Sequence, residues 1–393
     1  MNYLIQAYAC SPDKGGEFAI SWGWITHLNQ IINEDDNIYV ISLTLKQEEL
    51  NDHGLRNVHL IPIEGLEKYN FLHFNNAFHF IWLKKAYKAA KKSGIQFDFV
   101  HIYSLSDYRK PGKWYKFKKT FTVLGPVGGA QDCPKSLLGY DTKAGKIRRY
   151  INQFYRLNPF YRHKISRFNQ TFACNYETQL AMPGSQLLPD IPLREEFKNL
   201  RIEHNNNGIP VILYCGRLIN KKGLMLLLDV LSEIPQSIKY VCHIYGDGEQ
   251  KEQIALKIQE LQLQDRVKLK GFIDYSKMSE IYRGGSIFVM PSLRESGGSV
   301  LIEAAAHKLP IVALNIGLAR ILKEHGCGLF VNTEKSKEEI IKEFSYNLIK
   351  LIDDPKLREE LGSNGYNYVN EELNWDRMIQ TVYKDNINRL REN

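Results

Sequence analysis

No run of apolar residues in this chain approaches the ~18–20 that a membrane-spanning helix needs, so no helical span is expected. Cysteine is sparse. Its six residues (Cys10, Cys133, Cys174, Cys215, Cys242 and Cys327) lie far apart, and no Cys-x-x-Cys pair occurs. That spacing argues against a zinc site and for the reduced thiols of a cytoplasmic protein. Cys215 and Cys242 fall inside apolar runs, where a free cysteine behaves as a small hydrophobe. The first nine residues carry no basic leader segment and read as a strand, so no signal peptide is expected. Repeats are missing, as are low-complexity tracts beyond one lysine-rich stretch.

What the chain does have is 393 residues, 44% hydrophobic and 24% charged, the composition of a globular protein long enough for two domains. Its net charge of +8 is unevenly placed. Residues 1–195 hold 25 Lys and Arg against 17 Asp and Glu, so they carry the whole excess. Within residues 84–167 the count is 20 basic and 4 acidic, with Tyr87, Trp114, Tyr115, Phe117, Tyr150, Phe154, Tyr155, Phe160 and Tyr161 interleaved. Cations mixed with rings suit an anionic membrane surface, by charge attraction and shallow insertion. A solvated face, or a basic cleft for a soluble anion, is the plainer alternative. No nucleic-acid-binding signature accompanies the charge, so nucleic acid is not an expected partner.

Short apolar runs alternate with helical periodicity through both halves. Residues 3–9, 38–42, 58–62, 99–103 and 121–124 read as strands in the first half. In the second, residues 211–215, 240–245, 267–269, 287–290 and 311–313 do. This alternation implies parallel α/β sheets, which bind ligands at the carboxyl ends of their strands. Residues 189–210 hold three prolines and the run Asn205-Asn206-Asn207-Gly208, a linker composition. The expected domains are therefore 1–195 and 196–373, followed by a terminal helix over 374–393. The aromatic run Phe71-Leu72-His73-Phe74…Phe78-His79-Phe80…Trp82 reads as core, with a sugar or lipid site as the alternative.

The sharpest chemical signal is Pro291-Ser-Leu-Arg294-Glu295-Ser-Gly297-Gly298-Ser299-Val-Leu-Ile-Glu303, between a strand and a helix. Ser299 is the expected N-cap, which leaves helix-start amides to meet an anion. Glycine lets backbone approach a ligand closely. Glu295 then stands in the loop and Glu303 about one turn into the helix. The second signal is Gly216-Arg217-Leu-Ile-Asn-Lys221-Lys222-Gly223, again between strand and helix, and lacking the order of a Walker loop. An arginine fork and a lysine point charge there suit a diphosphate. Taken alone, this loop reads equally well as basic surface.

These two segments, with Gly246-Asp247-Gly248 and Lys270-Gly271-Phe272 between them, resemble in order and spacing the family 4 retaining glycosyltransferases. The resemblance is strong over residues 208–370. It weakens before that, where Cys10-Ser-Pro-Asp-Lys-Gly-Gly16-Glu17 and Gly125-Pro-Val-Gly-Gly129 are similar to the family's N-terminal loops. It implies the GT-B fold: α/β, two facing Rossmann-like domains with parallel sheets, and a C-terminal crossover helix beginning at Trp375. It also implies a nucleoside-diphosphate sugar as co-substrate, and a saccharide or lipid-linked saccharide as acceptor. The setting would be cell-surface polysaccharide or glycolipid synthesis; the basic, ring-bearing stretch of residues 84–167 would hold such a cytoplasmic enzyme on the inner face of the plasma membrane.

By that resemblance Arg217 and Lys222 hold the donor's diphosphate, and Glu303 hydrogen-bonds the ribose. Glu295, a catalytic candidate, holds hydroxyls of the transferred sugar with the amides of Gly297 and Gly298, and Ser299 belongs to the donor-binding loop. Backbone at Phe272 and Ile273 meets the base, and Gly16 approaches the phosphates across the cleft. Attack on the face from which the diphosphate leaves, with a phosphate oxygen taking the proton, is likewise implied by the family. His101, near the end of a strand, is a catalytic candidate against the reading of a satisfied histidine in the sheet. Glu17 is a candidate on the acceptor side, or a carboxylate favouring a helix start. Metal-dependent sugar transferases seat a cation on Asp-x-Asp, and the chain has no such triplet, so no metal or other cofactor is expected. An epimerase or phosphorylase-like enzyme of the same fold is the rival reading, and a basic nucleic-acid-binding protein the remote one.

Overall fold

Among the described residues, thirteen short strands form two all-parallel sheets. In the first lie β1 (Asn2–Gln6), β2 (Asn37–Ile41), β3 (Val58–Leu60), β4 (Phe99–Ile102), β5 (Phe121–Val127), β6 (Gln170–Ala173) and β7 (Gln186–Leu187), in the order β3-β2-β1-β4-β5-β6-β7. In the second lie β8 (Val211–Cys215), β9 (Val241–Tyr245), β10 (Val267–Gly271), β11 (Ile287–Met290), β12 (Ile311–Leu314) and β13 (Gly328–Val331), in the order β10-β9-β8-β11-β12-β13. These are two Rossmann-like α/β domains, as the strand–helix alternation leads one to expect. The computed structural model describes residues 1–55, 57–72, 76–103, 107–202 and 208–392. Residues 203–207 of the expected linker, and His73 and Phe74 of the aromatic run, lie outside them.

The strands missed in the sequence are β6, β7 and β13. Strand β7 has two residues, β6 mixes Gln170 and Thr171 with Phe172 and Ala173, and β13 opens on a glycine. None is long or apolar enough to announce itself. Strand β5 runs to Val127, three residues past the expected end, and so takes in the Gly125-Pro126 pair.

One compact unit contains Met1–Ala130, Tyr155–Asp190 and Trp375–Asn393; the other contains Gln131–Phe154 and Ile191–Asn374. The second unit thus recruits a segment from within the first half of the chain. Cys133 and Leu137 of that segment are buried in the same cluster as Leu226, Ile244 and Val289. In the first unit the terminal segment packs on the helix Glu17–Asn29. Trp375 stacks on His27 with ring centroids 4.6 Å apart and meets Trp24 edge-on at 5.3 Å. Gly23 makes this approach possible, since a Cβ there would lie 1.9 Å from the Trp375 ring. Phe78 and Trp82 are fully buried, so these members of the aromatic run belong to the core. All six cysteines are buried and none forms a disulfide, and burial pushes the Cys242 thiol up to about 12. No helix among the described residues is long and apolar enough to cross a membrane.

Candidate functional site

In the second sheet the chain steps outward from β8 to β9 and β10, then returns to β11 on the other side of β8. The carboxyl ends of β8 and β11 therefore flank a switch point, where an open parallel sheet leaves a crevice. The two chemically suggestive loops, 216–223 and 291–298, leave from these two strands.

The loops are fastened to each other through backbone. The Leu293 amide donates to the Lys221 carbonyl at 2.9 Å. Gly223 adopts φ +72°, and a Cβ on it would lie 2.1 Å from the Pro291 carbonyl oxygen. Only glycine permits both the left-handed turn and the contact. This registration places the Lys222 ammonium on Oε2 of Glu295, as a hydrogen bond and ion pair, with both side chains about one-seventh exposed. The same oxygen accepts a bond from the Ser292 hydroxyl at 3.3 Å.

Lys222 is one of four neighbouring cations. Burial is the main cause that depresses the Lys221 pKa; against the pull of Glu295, the charges of Lys222, Arg217 and Arg294 lower it further. Arg217 itself is exposed. Arg294 donates from Nη2 to Oδ1 of the fully buried Asp141 side chain at 2.9 Å. Gln131 donates from Nε2 to the Ser296 hydroxyl at 3.2 Å. Sequence reasoning singled out neither Lys221 nor Arg294, although both stand inside the quoted motifs. Asp141 and Gln131 had no local signal at all.

The helix Ser299–Ala306 begins one residue earlier in its cap than expected. Gly298, at φ +72°, is the N-cap, and Ser299 is the first helical residue. A left-handed cap position suits glycine, and it leaves the first turn without a side-chain hydrogen bond from the cap. Gly297 and Gly298 are buried beside Glu295. Glu303 is buried on this helix, and Oε2 accepts from the Tyr282 hydroxyl at 2.9 Å. Burial raises its pKa, which the Tyr282 bond and the charge of Arg194 partly offset.

Beyond β10, Phe272 is 75% exposed. Ile273 lines a cavity of about 400 Å³ with Leu213, His243, Tyr245 and Ile281, which does not include Arg217, Lys222, Glu295 or Glu303.

In the first unit, Gly16 is exposed and caps the helix that starts at Glu17, one residue before the expected start. Glu17 is half-buried, and its charge adds to burial in raising the Tyr8 pKa to about 12. His101 does not fit a catalytic role. It is fully buried on β4, edge-on to Trp24 at 5.0 Å, with Nε2 2.6 Å from the Gly125 carbonyl and Nδ1 2.6 Å from the Tyr383 hydroxyl. Both ring nitrogens are used inside the domain, and burial lowers the pKa to about 4. A proton-transfer group must reach its substrate, so His101 is a packing histidine.

The switch-point arrangement can hold an anion against cations and helix-start amides, next to a carboxylate that accepts from hydroxyls. Residues 196–368 match the family model described as "Glycosyl transferases group 1". Among curated proteins, an alpha-D-kanosaminyltransferase of Streptomyces kanamyceticus is 26% identical over 190 residues, 47% of each chain. The chain spans less than half the length of the curated relatives it matches. Solved structures resemble it along nearly the whole chain. Sucrose-phosphate synthase from Thermosynechococcus elongatus superposes with a TM-score of 0.67 at 15% identity, covering 99% of both chains. Anabaena HepE in complex with UDP gives 0.61 at 16%, covering 99% of this chain and 100% of that one. At these identities the likeness is one of fold, that of the GT-B glycosyltransferases.

Proposed function

We propose that this chain is a glycosyltransferase. It moves a hexosyl or N-acetylhexosaminyl group from a nucleoside-diphosphate sugar to a saccharide or lipid-linked saccharide, with retention of configuration. The observation that carries this reading is the contact between Lys222 and Glu295. In a nucleotide sugar the anomeric carbon is bonded directly to the terminal phosphate. A site for it therefore needs a cation for the phosphate and an acceptor for sugar hydroxyls side by side. In this reading the diphosphate takes the Lys222 ammonium from Glu295, and the freed carboxylate accepts from the sugar. The family match over residues 196–368 supports the assignment.

As the glycosyl–phosphate bond breaks, negative charge grows on the leaving diphosphate. Arg217, Lys222 and the amides around Gly297, Gly298 and Ser299 stabilise it where it forms. Glu303 meets the ribose, with Oε2 already held by Tyr282. Backbone at Phe272 and Ile273 meets the base, and Gly16 the phosphates. Once His101 is set aside, no side chain is assigned as base, and a phosphate oxygen of the donor takes the acceptor proton. Protein cations serve in place of a metal, a reading supported by the missing Asp-x-Asp triplet. The acceptor belongs to cell-surface polysaccharide or glycolipid synthesis, and the enzyme works in the cytoplasm at an anionic membrane surface.

A thermal-shift screen against UDP, GDP, ADP, CMP and dTDP sugars tests the reading. A nucleotide that binds only the folded state stabilises it by about 2.7 kcal/mol at a hundredfold excess over Kd. The expected result is a rise with one base, abolished in Lys222→Ala. No rise with any of them overturns the assignment.

A further inference from the structure

The helix Lys143–Leu157 is inverted for one that only covers a core. Its buried positions are Gly145 and Asn152, seven residues and two turns apart. Asn152 donates from Nδ2 to Oδ1 of Asp132 at 2.7 Å. A Cβ on Gly145 would come 2.2 Å from the Asp141 carboxylate, so the helix backbone lies directly on that group. The opposite side carries Ile147, Tyr150, Ile151, Phe154 and Leu157, between 42% and 72% exposed. The spacing i, i+3, i+4, i+7 and i+10 puts them on one face. A surface helix normally turns such a stripe inward, and a contiguous exposed apolar patch of this kind marks an interaction surface.

The charge around the stripe says what it meets. Lys143 and Lys146 are exposed in the first turn. Residues 143–154 of the helix hold four Lys and Arg and not one Asp or Glu. We propose that this face docks on an anionic lipid bilayer, with the helix in the plane of the headgroups and its apolar side chains at the acyl boundary. A second copy of the chain is a poor occupant, because it would bring two acid-free basic stretches together, and like charges across an interface oppose association. An anionic leaflet accepts the apolar side chains and neutralises the cations together. Asp141, beneath Gly145, also holds Arg294 of the loop that carries Glu295, so one carboxylate joins the docking helix to the candidate site. The inference deepens the transferase reading, and rests on it only for what the enzyme would meet at that surface.

The test is co-sedimentation of the full chain with vesicles of phosphatidylcholine, alone or mixed with phosphatidylglycerol, at low and high salt. Binding is expected on the anionic vesicles only, and weaker in salt. Lys143→Gln and Lys146→Gln should each weaken it about fivefold, the ~1 kcal/mol a lysine contributes near an anionic leaflet. Ile147→Ser should weaken it about tenfold, as loss of a partly inserted aliphatic side chain implies. All three positions are exposed, and an unchanged melting temperature confirms that the fold is intact. Equal binding to neutral vesicles, no binding at low salt, or variants that bind like the parent would each overturn the proposal. So would a dimer in sedimentation velocity that Ile147→Ser dissolves while vesicle binding is unchanged. Nucleotide-sugar binding, measured without vesicles, reads the transferase assignment separately: a chain that keeps it but ignores lipid loses only the docking proposal.

Discussion

Tyr383, in the last helical segment, donates its hydroxyl hydrogen to Nδ1 of His101 in the core of the first unit, 2.6 Å away. The direction follows from the other nitrogen. The Gly125 carbonyl beside Nε2 can only accept, so Nε2 carries the hydrogen and Nδ1 of the neutral ring must accept. The imidazole is thus built in as the neutral form.

That has a consequence for stability against pH. The folded pKa, about 4, lies below the ordinary 6.5. The unfolded chain therefore binds a proton first as pH falls. The contribution is fully present above pH ~6.5 and is lost progressively towards pH 4, by up to about 3 kcal/mol. Melting temperatures across that window should fall more steeply in the parent than in His101→Gln. Parallel profiles would contradict the buried neutral ring.

Arg217→Ala and Lys222→Ala should each lower kcat about 100- to 1000-fold, the ~2.7–4 kcal/mol typical of one lost donor to a developing anion. Melting temperature should change far less, because the exposed Arg217 packs on little and Lys222 loses one ion pair. Near-normal turnover in both would remove them from the diphosphate.

Glu295→Gln and Glu303→Gln should separate. Glu303→Gln is expected to weaken binding of the bare nucleoside diphosphate, through the ribose. Glu295→Gln is expected to leave that binding nearly intact and reduce transfer. Isothermal titration beside kcat measures both. Equal loss of nucleotide affinity would show the roles to be misassigned.

Chelation should leave turnover essentially unchanged, since Arg217 and Lys222 are proposed to supply the positive charge that a metal would. Loss of activity in EDTA that Mg²⁺ or Mn²⁺ restores would refute metal-independence.

The sequence alone determined the alternation of strand and helix, and the two loops that follow β8 and β11. A strand, a glycine-bearing turn and a helix start are contiguous in the chain, and their signals are local. Even there the N-cap was misplaced by one residue, because Ser299 and Gly298 both suit a helix start and only the backbone angle separates them. Tertiary structure decided the rest. Lys222 and Glu295 are 73 positions apart, and their contact depends on β8 and β11 becoming neighbours across the switch point. Asp141 reaches Arg294 from 153 positions away, and Tyr383 reaches His101 from 282. No periodicity encodes such pairs, since each is fixed by where separate elements pack. The same reason made His101 look like a candidate acid or base: a histidine near the end of a strand is ambiguous until its two neighbours are known. Cations and rings interleaved over residues 84–167 are legible in the sequence, but that mixture does not say which side of the helix Lys143–Leu157 faces the protein. Asp132 and Asp141, packed under its polar side, decided that its apolar side faces out.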